Sequence, residues 1–253
     1  MMIDGNKVLP TSTVLQARVA LFQPSKRPKR QKGKWVQTQY GKCRVTGRLG
    51  QRHADVLEGM MYVAERRRDT DDSIELLVDP SILRKILSDN QYSYEGIQDL
   101  IADLRGAVIE IITPEMEKTG DRIIGGLLDY SIPSPMTRPN PLGGERHLWR
   151  VRLGIGLIML LNRDLHLYYK PAPIARLQHG VSQAVARHVL THKHEPTGGW
   201  HVDTLLKAVC GEDASSSTLR NGRFRLKQDI IGLENLGIEI TNKKRIKRFT
   251  TAQ

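Results

Sequence analysis

Two cysteines, Cys43 and Cys210, are all that the 253 residues contain. That is too few for a disulfide scaffold or a zinc cluster, and it points to a reducing cytoplasm. Aromatic residues make up only 5%, which argues against a stacking platform for single-stranded nucleic acid. No apolar run approaches the roughly 20 residues of a membrane helix; the longest, Leu157 to Leu161, is far short. The opening MMIDGNKV has no apolar core behind a basic start, so it does not read as a signal peptide. No G-x-x-x-x-G-K-[ST] occurs, which leaves an ATP-driven helicase without support. The expectation is a soluble cytoplasmic protein with no membrane partner and no cofactor.

Positive charge, by contrast, is abundant. Lys and Arg number 39 against 27 Asp and Glu, a net charge of +12. A surplus of that size implies a polyanionic partner, most often nucleic acid. Part of it sits in SKRPKRQKGK, residues 25 to 34, with six cations including Lys26, Arg27, Lys29 and Arg30. Such a run cannot fold alone. Residues 1–45 are therefore expected to be a flexible basic arm lying on phosphates.

Beyond the arm the pattern becomes regular. QRHADVLEGMMYVAE places Val56, Leu57, Met60, Met61 and Val63 on one broad helical face. SIELLV reads as a strand. Asp79-Pro80 opens a helix, with Asp as cap and Pro at the first helical position. After the turn SDNQY, Ser93 caps a second helix lined by Ile97, Leu100, Ile101 and Leu104, and Gly106 stops it. AVIEIIT and IIGGLLDYSI read as a hairpin joined by a charged connection. PSPMTRPNPLGGER, with four prolines and two glycines, reads as an inter-domain boundary. HLWRVRL is expected as a strand, and residues 157–169 are ambiguous. Ile174, Leu177, Val181, Val185 and Val189 recur at helical spacing, Asp203 is placed to cap a further helix ended by Gly211, and GIEIT closes as a strand.

The order helix, strand, helix, helix, hairpin thus occurs twice. The predicted fold is α+β, mostly α: two tandem winged-helix domains, 46–140 and 141–253, behind the arm. The second is expected to be the main DNA reader. In the first, the third helix carries Glu95, Asp99 and Asp103, a poor set for entering a groove. That domain is expected to touch DNA by backbone contacts or to mediate protein contacts.

STLRNGRFRLKQDIIGLENLGIEI carries the sharpest signal. At 100° per residue Leu219, Leu226, Ile230 and Leu233 form one stripe. Arg220, Asn221, Phe224, Arg225, Lys227 and Gln228 point away from it, and Arg223 lies at its edge. No acid occurs from Ser215 to Gln228. This is the layout of a recognition helix, in which Arg reads guanine, Asn and Gln read adenine, and cations hold phosphate. Ser215, Ser216, Ser217 and Thr218 at its start are placed to cap it and to touch backbone phosphate. The tail TNKKRIKRF has five cations in six positions from Lys243 to Arg248. Lys243, Lys244 and Arg245 are expected on a second wing or a trailing arm.

The stretch from Leu165 to Ile240 resembles the C-terminal domain of TrfA-type plasmid replication initiators. The resemblance rests on THKHEPTGGWHVDTLLKAVCGEDASSSTLRNGRFRLKQDIIGLENLGIEI: an H-x-E-P turn, a short helix ending in Cys-Gly, a Ser/Thr-rich turn and a basic helix ending in Leu-Gly-Ile. It implies a bacterial, plasmid- or nucleoid-associated protein that is not an enzyme. Such a protein binds iteron repeats in double-stranded origin DNA, promotes melting beside them and controls plasmid copy number. It also implies recruitment of host replicative helicase and sliding clamp, and a monomer–dimer equilibrium. VALF, residues 19 to 22, is a degenerate match to a clamp-binding peptide, with Leu21 and Phe22 as anchors.

Two rivals share some of these features. A rolling-circle nickase uses a His-x-His pair and a tyrosine, and His192, His194, Tyr168 and Tyr169 are present. Lys193 between the histidines would repel a divalent cation, which also weighs against zinc held by His188, His192 and His194. No metal site is expected. A winged-helix transcriptional repressor is the nearer alternative, because fold does not fix function.

Overall fold

Local signals place several elements where the sequence predicts them. Asp79 Oδ1 accepts hydrogen bonds from the amides of Ser81 (2.8 Å) and Ile82 (3.4 Å). Ser93 Oγ accepts from Gly96 N at 3.0 Å, satisfying a donor that a helix start leaves free. In chain order the elements of the computed structural model are β1 (Ser12–Thr13), α1 (Val14–Arg18), β2 (Gln31–Thr38), β3 (Gly41–Gly47), α2 (Gln51–Val63), β4 (Arg66–Thr70), β5 (Ser73–Val78) and α3 (Pro80–Leu87). They continue with α4 (Tyr94–Gly106), β6 (Val108–Ile112), α5 (Pro114–Thr119), β7 (Ile123–Gly126), β8 (Leu128–Pro139), β9 (Glu145–Leu153), α6 (Ile155–Arg163), β10 (His166–Leu167) and α7 (Ala172–Ala175). The last are α8 (Gly180–Leu190), β11 (Trp200–His201), α9 (Val202–Cys210), α10 (Ser216–Gln228), α11 (Ile230–Glu234), β12 (Ile238–Ile240) and β13 (Arg245–Arg248). The structure describes residues 9–70, 73–87, 92–140, 143–241 and 244–249. Most of the turn SDNQY lies outside them.

With 42% helix and 31% strand the fold is mixed α/β rather than mostly α. Two four-stranded antiparallel sheets, ordered β2-β3-β6-β7 and β4-β5-β9-β8, enclose α2, α4 and α6. Their inner faces (Cys43, Val45, Ile109, Ile111 on one; Ile74, Leu76, Val151, Leu153 on the other) join Leu57, Met60, Leu104 and Leu157 in one core. A second core forms around Val185, Leu205, Leu206, Leu226, Leu233 and Ile246, under a three-stranded sheet ordered β11-β13-β12.

Several expectations are corrected. Residues 9–45 are not a loose arm. Val19, Leu21 and Phe22 lie in the first core, Leu21 with no exposed surface and Phe22 with 6%. β2 and β3 are strands of the first sheet. The apolar residues between the cations supply the burial that the charge count conceals. Leu21 and Phe22 therefore cannot serve as exposed clamp anchors in this fold.

Residues 133–146 are no linker either. Residues 133–139 end β8 and residues 145–146 begin β9, and β9 pairs with β5, register Val78↔Trp149 to Glu75↔Arg152. Proline is tolerated in β8 because it is an edge strand. The ambiguous run 157–169 begins as α6 and belongs to the first core, so the change of core falls near residues 164–173 rather than at 140.

Finally, the stripe from Leu219 to Leu233 is carried by two helices rather than one. α10 ends at Gln228, and Asp229 turns the chain into α11. Asp203 does not cap α9 but lies in its first turn, behind the cap residue His201.

Candidate nucleic-acid interface

α9 and α10 meet because Leu205, Leu206 and Val209 on one helix face Leu226 and Gly222 on the other. The contact is close at Gly222, where a Cβ would stand 2.8 Å from Leu206 Cδ2. Between the helices Gly211 turns the chain at φ +104°. Ser215 then caps α10, its Oγ accepting from Thr218 N at 3.2 Å and lying 2.9 Å from the hydroxyls of Ser217 and Thr218. In the predicted apolar stripe Leu226 and Leu233 are buried and Leu219 and Ile230 partly so.

The opposite face is open. Ser216, Ser217, Thr218, Arg220, Asn221, Arg225, Lys227 and Gln228 are all exposed. α10 carries no carboxylate; two acids that adjoin or touch it, Asp229 and Asp203, are engaged within the fold, while Glu212 and Asp213 just before it are exposed, Asp213 Oδ2 lying 4.0 Å from Lys34 Nζ. Asp229 is buried and accepts from the amides of Gln178 (2.8 Å) and His179 (2.9 Å) at the start of α8. Asp203 takes both contacts of Arg223 Nη1, at 2.7 and 2.8 Å. Arg223 thus ties α10 to α9 and, of the cations assigned to this helix, is the one committed to an internal pair.

The β12–β13 hairpin follows, packed against α11 through β12. Ile238 and Ile246 anchor it in the second core, in the register Ile240↔Ile246 and Ile238↔Arg248. Its turn closes through Thr241 N to Arg245 O at 2.8 Å and Lys244 N to Thr241 O at 3.1 Å, with Lys244 in the left-handed region at φ +56°. Lys244, Arg245, Lys247 and Arg248 are exposed. Arg245 Nη1 also donates to Gly199 O (3.0 Å), and Arg248 Nη1 to His192 O (2.8 Å). Lys243 lies outside the described residues.

The cations of residues 25–34 are held against the body. Gln23 grips the backbone of Lys29 through both ends of its amide, and Ser25 O accepts from Gln51 N at 2.9 Å. Gly180, the first residue of α8, packs so closely that a Cβ would stand 2.6 Å from Ser25 Cα. The stretch therefore crosses the junction of the two cores at the starts of α2 and α8. Arg27, Lys29 and Arg30 are exposed on it. Lys26 is half-buried, and that burial lowers its pKa despite the fields of Asp55 and Asp229.

His192 is part of an aromatic cluster with His188, Trp200 and Tyr40, whereas His194 is exposed. Tyr169 is bonded to Glu58, and burial raises its pKa well above the usual value. Burial also pushes the Cys43 thiol up to about 12 and Cys210 to about 11, the inert end of thiol chemistry. Among the described residues no three His, Cys, Asp or Glu side chains group as metal ligands. No helix among them is long and apolar enough to cross a membrane.

Charge spacing revealed α10 but not which acid pairs with it: a separation of 20 along the chain hides the pairing of Asp203 with Arg223. The acids of α4 are likewise partly used at home, since Asp103 Oδ2 accepts from Arg48 Nε (2.9 Å) and lies 3.1 Å from His53 Nε2.

No family model matches the sequence, and no curated protein does. The fold does match a solved structure, the crystal structure of a selenomethionine derivative of domains 2 and 3 of RctB, with a TM-score of 0.56 over 94% of this chain and 96% of that one. The two sequences are 12% identical, so the likeness is one of fold. RctB is a replication initiator; the likeness is to the fold of its domains 2 and 3 and does not single out the TrfA type.

Proposed function

We propose that this chain is a replication initiator that binds double-stranded DNA and acts by binding rather than by catalysis. In this reading α8, β11, α9, α10, β12 and β13 form a winged helix. α10 enters the major groove, which is wide enough for a helix. The β12–β13 hairpin lies on the flanking phosphates as its wing. Arg220, Asn221, Arg225 and Gln228 supply the donors that distinguish guanine and adenine. Ser216, Ser217 and Thr218 sit at the positive end of the helix, where a phosphate is welcome. Arg27, Lys29 and Arg30 add contacts that do not depend on sequence.

The observation that carries the reading is the outer face of α10: exposed from end to end, cationic and amide-rich, with no carboxylate on the helix itself. The likeness to the RctB domain pair supports the role of initiator. Iteron binding, origin melting, copy control, a monomer–dimer equilibrium and recruitment of helicase belong to the same proposal. Clamp recruitment through Leu21 and Phe22 does not, because those residues are buried.

The test is footprinting of the purified chain on its own replicon's candidate origin, with permanganate to reveal unpaired thymines. Protection of several regularly spaced repeats beside a reactive AT-rich segment is the expected result. Protection of a single palindrome over a promoter, without melting, would make the protein a repressor of the same fold.

A further inference from the structure

Phe224 stands out on α10. Its ring is 63% exposed in the middle of the face just described. At 100° per residue its neighbours on the helix surface are Arg220 and Asn221 on one side and Lys227 and Gln228 on the other, the positions four and three residues away. All four are exposed.

A lone exposed apolar residue is ordinary on a protein surface. A phenyl ring encircled by cations and amides is a narrower case, because it constrains what can cover it. An apolar socket on a protein would have to strip water from four polar side chains to reach the ring, with nothing to repay them. The partner must instead offer hydrogen-bond acceptors and negative charge around a small apolar spot. The major-groove edge of a thymine-containing site does so: purine N7, guanine O6 and thymine O4 are acceptors, phosphates line the rim, and the thymine 5-methyl is the one apolar group in the groove.

We propose that Phe224 is a specificity-determining residue that packs on a thymine methyl in the major groove, flanked by donors from Arg220, Asn221, Lys227 and Gln228. This rests on α10 being the groove-entering helix, and it adds a preference for thymine at the centre of the recognised site. The polar side chains then read acceptors on either side, and the ring reads the methyl that uracil lacks.

The experiment uses the full chain and the duplex it enriches from a random pool. Each thymine of that duplex is replaced singly by deoxyuridine, and affinities are measured for the wild type, Phe224→Ala and Phe224→Leu. Circular dichroism and thermal melting verify that the variants fold. The wild type should lose about fourfold at one thymine, the worth of a single buried methyl. Phe224→Ala should bind the thymine duplex more weakly and show no further loss with deoxyuridine there. Phe224→Leu should retain part of the difference.

Equal deoxyuridine losses in the wild type and Phe224→Ala would overturn the assignment, as would insensitivity of the wild type to every replacement. A change of oligomeric state in Phe224→Ala with DNA affinity untouched would also overturn it, by placing the ring at a contact between copies. If no duplex is enriched at all, the DNA-reading role of α10 falls with it. If Arg220→Ala still loses affinity for the enriched duplex while the ring proves indifferent, only the thymine contact falls.

Discussion

Arg187 on α8 holds Glu58 on α2 with both sides of its guanidinium fork, Nε to Oε1 and Nη2 to Oε2, each at 2.8 Å. The same guanidinium reaches Gln51 Oε1 at 2.7 Å and Asp55 Oδ1 at 2.6 Å, and all four side chains are buried. Gln183 Nε2 and the Tyr92 hydroxyl complete the coordination of Asp55. This network fastens the second core to the first. Burial pushes the Glu58 carboxyl upward, and Arg187 is the charge that pulls it back.

Removing that charge should therefore be costly. Arg187→Ala removes the guanidinium that two buried carboxylates share, and about 3–5 kcal/mol of stability should be lost. Arg187→Lys should rescue little of it, since an ammonium cannot reproduce the fork. Urea denaturation with intrinsic fluorescence measures both. A loss below about 1 kcal/mol for Arg187→Ala would mean that the network forms no part of the folded state in solution.

Acid should loosen the same junction. Burial lowers the pKa of His188 to about 3, and burial also lowers those of His53 and His192. Each is depressed relative to the unfolded chain, where histidine titrates near 6.5. The unfolded state therefore binds more protons below about pH 6.5. Stability should be full above that value and fall as the pH drops, the His188 share continuing towards pH 3 at up to about 1.4 kcal/mol per pH unit. Thermal melts from pH 8 to 5 would show it, and His188→Gln should flatten the slope by its one-proton share. A flat profile would contradict the burial of these rings.

Arg220 and Arg225 should behave differently from Arg223, although all three lie on one helix. Arg220→Ala or Arg225→Ala should weaken cognate binding by roughly 1–3 kcal/mol with little change in stability if the side chain reads a base. Equal losses on random DNA would make it a phosphate contact instead. Arg223 is paired with Asp203 at about one-third exposure, so Arg223→Ala and Asp203→Ala should each cost about 0.2–1 kcal/mol of stability. A double-mutant cycle should show their losses to be coupled. Independent losses, or a large DNA defect confined to Arg223→Ala, would return that arginine to the interface.

Deleting residues 25–34 would remove the Ser25 carbonyl from Gln51 and the start of β2, so neutralisation is the cleaner probe. Replacing Arg27, Lys29 and Arg30 together by Gln should flatten the dependence of log K on log salt by roughly 0.9 for each DNA phosphate that these cations neutralise. An unchanged slope would take this stretch off the DNA.

Helices with strong local signals were legible from the chain alone. Asp79-Pro80, Ser93 and Ser215 act through neighbours within three residues, and so does the apolar spacing of α4 and α9. The strands were harder. β2 is written in lysines, and β8 in prolines, because edge strands need neither continuous burial nor every amide. Nothing local marks QKGKWVQT as a strand until β3 lies beside it. At the candidate interface the cationic face of α10 was readable, but which of its arginines was free was not.

By itself the sequence determined the net charge, the periodicities, the helix starts and the acid-free run from Ser215 to Gln228, since each depends on composition or on residues a turn apart. Only the tertiary structure decided that Leu21 and Phe22 are core, that β9 belongs with β5, and that Arg187 meets Asp55 and Glu58 across some 130 residues of chain. The reason is physical. Burial and charge pairing are properties of points in space, and a residue's partner there is chosen by the packing of whole elements rather than by its neighbours along the backbone.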